Sequence, residues 1–261
     1  MKIENDKYYT PLNIVDLCLK EVKEILMKDN VIPKRIIEPS AGNGAFSLKI
    51  KNCIAYDIQP EHPSIIKQDF LTCNLDYQKH TLVIGNPPFG SRLSLAQKFY
   101  KKSVEIADYI AFILPISQLN NNSTLYEFDL IKSIDLGEQL YSDRKLHCCF
   151  NIYKRPKVLN KKSKTTLKCV KIIRQDAKNY DNEWFDLRMC YWGDGTVGKI
   201  LKGNEHYSGE YKIQIINEFK EQVIKILQET NWKEEIKGIA MKRLKQYHII
   251  NKLKQKIPNI Y

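Results

Sequence analysis

The sequence predicts an α/β fold, an open and mostly parallel sheet followed by a smaller basic α+β region, on three observations. Two apolar runs, Thr81-Leu82-Val83-Ile84-Gly85 and Tyr109-Ile110-Ala111-Phe112-Ile113-Leu114-Pro115, lack the polar alternation of a half-exposed strand, and such runs suit strands covered on both faces. Segments of helical period alternate with strand candidates along the first part of the chain, the habit of doubly wound sheets. A loop with two glycines, Pro39-Ser40-Ala41-Gly42-Asn43-Gly44, follows a strand candidate at once, and open sheets of this kind bind ligands at the carboxyl ends of their strands.

The elements follow in order. In 12–27 the apolar residues Ile14, Val15, Cys18, Val22, Ile25 and Leu26 recur at three and four positions and predict one buried helix face. Arg35-Ile36-Ile37-Glu38 is a short strand, Cys53 to Tyr56 a second that ends at Asp57, and Ser64 to Lys67 a third beside Asp69. The apolar run 81–85 leads into Asn86-Pro87-Pro88-Phe89-Gly90, a helix is expected over 93–106, and strands are expected at 109–115, 131–136 and 148–153. Glu38, Asp57, Asp69 and Asn86 thereby fall at the carboxyl ends of strands, along one edge of the sheet.

After Pro156 the texture changes to a polar stretch with Lys157, Lys161, Lys162, Lys164 and Lys168, so a boundary is expected there, with one domain over 1–155 and another over 156–261. Trp184 to Lys199, with Gly193-Asp194-Gly195 and Gly198, predicts short strands and tight turns. A strand is expected at 211–216, then a helix over 217–229 capped by Asn217. A second helix over 232–256 would face Ile236, Ile239, Ala240, Leu244, Tyr247, Ile250 and Leu253 inward and carry Lys242, Arg243, Lys245, Lys252, Lys254 and Lys256.

Composition narrows the function classes. No run of eighteen apolar residues occurs, and Glu4, Asp6 and Asp16 interrupt the first twenty residues, so neither a membrane span nor a secretory signal is expected. The seven cysteines show no paired spacing and are read as reduced thiols of a cytoplasmic protein. Histidines 62, 80, 147, 206 and 248 have no ligand spacing, so no metal is expected. Hydrolase-elbow and phosphate-loop motifs are absent. The net charge of +12 is uneven: residues 1–155 hold 20 basic and 18 acidic side chains, residues 156–261 hold 22 and 12. That asymmetry points to a polyanion for the second part, although a general preference for Lys would also raise the charge. Membrane-surface contact by the basic helix has no other support.

Asn86-Pro87-Pro88-Phe89 carries the most specific chemistry. The exocyclic amine of adenine is a poor nucleophile because its lone pair is delocalised into the ring. Two hydrogen-bond acceptors drawing on its N–H bonds favour tetrahedral geometry at nitrogen, and the Asn86 amide oxygen with the Pro87 carbonyl supplies two. Pro88 stiffens the backbone there, and Phe89 offers a face for an extruded base. The plain alternative is a rigid turn that ends a strand. The glycines of Glu38-Pro39-Ser40-Ala41-Gly42-Asn43-Gly44 let backbone pass close to a small molecule. The acid before them sits badly beside pyrophosphate and well beside an ammonium or sulfonium. Asp57 suits a ribose, and Asp69 with Phe70 suits an adenine. Each is equally a solvated loop residue when taken alone. Tyr9, Thr10 and Pro11 are either a lid over the ligand or an arm packed on the sheet.

Together, Glu38 to Gly44 and Asn86 to Phe89, preceded by Tyr8-Tyr9-Thr10-Pro11, resemble the motifs of N6-adenine DNA methyltransferases of the restriction-modification and phage type. The resemblance covers roughly residues 8–155. It implies a seven-stranded class I methyltransferase sheet and S-adenosyl-L-methionine as cofactor. Tyr9, Thr10, Pro11, Glu38, Pro39, Ala41, Gly42, Asn43, Gly44, Asp57, Asp69, Phe70 and Asn86 would line the cofactor, and Asn86, Pro87, Pro88 and Phe89 would act on a flipped adenine of double-stranded DNA. Similar motifs act on RNA and on glutamine of proteins, and a noncatalytic nucleic-acid-binding subunit of the same fold would keep the basic surface. Only residues 45–52 separate Gly44 from the second strand, where the family inserts a helix. The part after 155 resembles no known module, and Trp184, Tyr191 and Trp192 there suit either base stacking or a small core.

Overall fold

A computed structural model describes residues 8–142, 144–162, 166–176, 184–193, 195–216, 218–236 and 243–260. Asn217, Asp194, Lys164, Ile239, Ala240 and Lys242, to which the sequence assigns a cap, a turn and parts of a basic loop and helix, lie outside the described residues. The chain divides into two compact units, Met1–Lys162 and Ser163–Tyr261.

Unit 1 begins with α1 (Leu12–Lys28), whose first turn hangs from the Pro11 carbonyl through Ile14 N and Val15 N, both at 3.0 Å. Seven strands follow: β1 (Arg35–Glu38), β2 (Cys53–Asp57), β3 (Ile66–Lys67), β4 (Thr81–Gly85), β5 (Tyr109–Pro115), β6 (Asp129–Tyr141) and β7 (Arg144–Lys154), with α2 (Ser94–Ile106) between β4 and β5. They form one sheet in the order β3-β2-β1-β4-β5-β7-β6. The pairs from β3 to β5 are parallel; β7 runs antiparallel to β5, and β6 to β7. The α/β fold is therefore a seven-stranded, mostly parallel sheet closed by an antiparallel hairpin.

The unalternating runs have a direct structural reason. Val83 on β4 and Ile110, Phe112 and Leu114 on β5 pack into the cluster that contains Phe99 and Tyr100 of α2. The intervening Leu82, Ile84, Tyr109, Ala111 and Ile113 pack into the cluster that contains Ile14, Val15, Cys18 and Val22 of α1. With apolar neighbours on both faces, neither register of a polar residue is tolerated.

Several limits differ from the sequence reading. The third strand is two residues long, and the hairpin is longer than expected at both arms, with bulges between Leu130 and Lys132 and between Asp135 and Glu138 that break its alternation. From β1 to β2 the only helical turn is 3-10, Ser47–Lys49.

Unit 2 holds a four-stranded antiparallel sheet in the order β10-β9-β11-β8, from β8 (Val170–Asp176), β9 (Leu187–Cys190), β10 (Ile200–Leu201) and β11 (Gly209–Ile215). Tyr211, Ile213 and Ile215 share a core with α3 (Lys220–Glu229), α4 (Trp232–Glu235) and α5 (Gln246–Lys256). The alternate residues Glu210, Lys212 and Gln214 are also buried, and Glu210 pairs with Arg188 at 3.3 Å. The helix expected over 232–256 is present as α4 and α5 rather than as one continuous helix through Arg243 to Lys245. Residues 237–242 lie outside the described set. Strand β8 has no counterpart in the sequence reading, because its adjacent Ile172 and Ile173 interrupt the alternation. No described helix is long and apolar enough to cross a membrane.

Candidate active site

The sheet order places the switch in connection direction between β1 and β4: β2 and β3 lie to one side, β5 to the other. Ligands of open sheets bind in such a crevice, and a cavity of about 470 Å³ opens there. Its walls include Glu38 from β1, Asp57 from β2, Asp69 after β3 and Asn86 after β4. The volume is that of a small-molecule site.

Glu38 is only 2% exposed. Its Oε2 accepts a 2.7 Å hydrogen bond from Ser47 N, so the first 3-10 turn after the glycine loop anchors the carboxylate. Burial pushes its pKa up to about 7. Asp57 ends β2, paired with Lys67 of β3. Its Oδ2 accepts from Gly42 N and its Oδ1 from Gln59 N, each at 2.7 Å. Gly42 has φ +54° and Gly44 φ +86°, a region that disfavours side chains; a Cβ on Gly44 would also meet Leu48 Cγ at 2.8 Å. Asp69 caps the next 3-10 turn by accepting from Leu71 N at 2.9 Å. Phe70 is 1% exposed and stacks on Phe99, ring centres 5.9 Å apart at 11°.

Glu38, Asp57 and Asp69 line the cavity, and no Lys, Arg or His does so among the described residues. Such walls favour a cation and oppose a phosphate.

At the other side, Asn86 Nδ2 donates to Thr10 Oγ1 at 3.2 Å and to the Tyr8 carbonyl at 3.4 Å. A backbone carbonyl can only accept, so the contact with Tyr8 assigns the amide nitrogen to this side. Among the described residues neither Asn86 Oδ1 nor the Pro87 carbonyl accepts a hydrogen bond. Tyr8 to Pro11 cross this edge as a strap: Tyr9 N donates to Ser142 Oγ at 3.1 Å, and Tyr9 OH to Glu61 Oε1 at 2.6 Å. Of the two readings of this segment, it is an arm on the sheet that also walls the cavity.

Of the residues singled out from the sequence, Tyr9, Thr10, Glu38, Pro39, Ala41, Gly42, Asn43, Asp57, Asp69, Phe70, Asn86 and Pro88 line the cavity. Pro11, Gly44, Pro87 and Phe89 do not. Pro11 caps α1, Gly44 shapes the loop, and Pro87 is buried. Phe89 packs half-buried against the α1-side cluster, and its carbonyl accepts from Leu95 N and Ala96 N at 3.1 and 3.4 Å, which holds the loop down on α2. Ser40, Gln59, Gln68, Leu95 and Phe99 line the cavity without having been singled out; Phe99 reads as core from its helical spacing, and it is core as well.

No protein-family model matches the sequence, and no curated protein matches it. Solved structures resemble part of it. A candidate RNA methyltransferase from Pyrococcus horikoshii shares 18% identity over 59% of this chain and 89% of that one, with a TM-score of 0.48. A chain from a type I R-M system shares 13% over 57% and 42%, with a TM-score of 0.42. Magnesium protoporphyrin IX methyltransferase from Synechocystis PCC 6803, with bound SAM, shares 9% over 54% and 79%, also at 0.42. The likenesses are partial; the strand order and the cavity carry the description of the fold and site.

Proposed function

We propose that this protein binds S-adenosylmethionine in the acidic cavity and transfers a methyl group to the N6 amine of a flipped adenine in double-stranded DNA. The observation that carries the reading is the Asn86 amide, held by its nitrogen at the rim of a cavity whose charged walls are all carboxylates. The donor set fits this cofactor: Glu38 balances its ammonium and sulfonium charges, directly or through water, Asp57, whose oxygens keep unused lone pairs, accepts from ribose hydroxyls, and Asp69 with Phe70 meets its adenine. Bound there, the cofactor supplies a methyl group already activated for attack.

The chain's own task is then alignment and polarisation. Asn86 Oδ1 and the Pro87 carbonyl accept the two N–H bonds of the target amine and favour tetrahedral geometry at its nitrogen. No strong base is needed before attack.

The excess of positive charge after residue 155 supports nucleic acid over protein as substrate. The test is incubation with methyl-labelled donor and, in separate reactions, duplex DNA, total RNA and a protein extract, followed by digestion. Label in N6-methyladenine from DNA is expected. Label in RNA alone would reject the DNA substrate, and label in protein alone would reject the adenine chemistry.

A further inference from the structure

Strand β9 of unit 2 runs out at Tyr191 into Trp192, whose indole is 49% exposed. The ring is not loose. It lies so near Gly209 that a Cβ there would come within 2.2 Å of Trp192 Cδ1 and 2.3 Å of Nε1; glycine at the start of β11 leaves room for an indole seated against backbone. Arg243 pairs with Trp192 as an antiparallel bridge, and its guanidinium stands 5.1 Å from the centre of the Tyr191 ring. Arg174 stands 5.2 Å from the same ring. Leu244 N donates to the Tyr191 carbonyl at 2.7 Å, and Lys245 follows it in sequence with its Nζ 5.7 Å from the centre of the Tyr247 ring. Burial and the Arg243 charge hold the Lys245 pKa below its ordinary value. Among the described residues neither Arg243 nor Lys245 pairs with a carboxylate.

Arg243 and Lys245, like charges near each other with no carboxylate partner among the described residues, are relieved by an anion. An immobilised aromatic face beside cations is what single strands and extruded bases use, the base on the ring and the phosphates on the charges. We propose that Trp192, Arg243 and Lys245 form a nucleic-acid site in which an unstacked base lies on the indole and its flanking phosphates are held by the two cations. This rests on the nucleic-acid part of the reading above, not on the reaction. Tyr191, 3% exposed, belongs to the core, the second of the two sequence readings of this aromatic cluster, and the proposed site takes up the first at Trp192.

The test uses the full chain and a fluorescein-labelled DNA oligonucleotide, single-stranded or with a mispaired adenine. Trp192→Ala should weaken binding about 5- to 100-fold. Arg243→Gln with Lys245→Gln should lower the slope of log affinity against log salt by about one to two. Quenching of tryptophan emission on binding should persist in Trp184→Phe and vanish in Trp192→Phe, a variant that keeps a ring at the position. The site is overturned if wild-type protein binds no oligonucleotide, if a folded Trp192→Ala protein binds as wild type does, or if quenching survives Trp192→Phe. Trp192-dependent binding without methyl transfer leaves this site standing and removes the proposed reaction; methyl transfer with Trp192-independent binding does the reverse.

Discussion

At Asn86 the amide nitrogen is occupied by Thr10 Oγ1 and the Tyr8 carbonyl, and that engagement leaves the oxygen an acceptor with no donor among the described residues. Thr10 is thus a positioning residue for Asn86. Removing its hydroxyl with Thr10→Val should lower kcat about 3- to 10-fold, the kinetic equivalent of one ordinary hydrogen bond, with KM for the cofactor little changed. Thr10→Ser, which keeps the acceptor, should restore the rate. Equal loss in both variants would assign Thr10 to packing alone.

Glu38 gives a pH dependence with a definite sign. Its pKa is raised from 4.5 to about 7 by burial, so between those values the folded, ligand-free protein holds a proton that the unfolded chain has released. Stability from this group therefore falls as pH rises through that window. A cationic ligand favours the ionised carboxylate, so calorimetry should show S-adenosylmethionine binding more tightly as pH rises through about 7 and proton release on binding. Glu38→Gln should flatten both curves; an unchanged pH profile would remove Glu38 from the cation's surroundings. Asn86, Glu38 and Asp57 were legible in the sequence because each is a polar residue at the end of a strand candidate. The Tyr8 carbonyl was not, since a backbone acceptor carries no residue identity, and neither was the packing of Phe89, read as a face for an extruded base, half-buried against the α1-side cluster.

The connection from β1 to β2 sets the geometry of the acidic side of the cavity. With a single 3-10 turn in place of a full helix, the loop from Gly42 to Ser47 must both reverse direction and supply the N–H groups that hold Asp57 and Glu38. Gly44 at φ +86° allows the reversal. Gly44→Ala should destabilise the fold by roughly 1–3 kcal/mol from backbone strain and the clash with Leu48, seen as a lower thermal midpoint together with weaker cofactor binding. A midpoint at or above wild type would show that the loop tolerates a side chain. The strands β4 and β5 were readable because burial on both faces leaves an unalternating apolar run. β8 and the full length of the β6–β7 arms were not, because adjacent isoleucines in one and bulges in the other break the period on which such reading depends.

Across the whole chain, chemistry and charge are separated in sequence. The acidic cavity lies within Met1–Lys162, and the excess of positive charge falls after residue 155, where 22 basic side chains stand against 12 acidic ones. A cationic small molecule and a polyanion would thus each meet a surface of opposite sign, with the transferred group passing at the rim of the first. The asymmetry of charge and the aromatic cluster were visible in the sequence; the seating of Trp192 against Gly209 was not, because the contact joins two different strand ends. The central claim, that the Asn86 amide oxygen grips and polarises the target amine without holding the cofactor in place, is tested most directly by one comparison. Wild-type protein and Asn86→Ala are measured for methyl transfer to adenine in an oligonucleotide and for cofactor affinity by calorimetry. Transfer should fall by about 100-fold or more, as when a polarising group is lost from a reaction centre, while affinity stays within a few-fold of wild type; turnover that survives the substitution would contradict it.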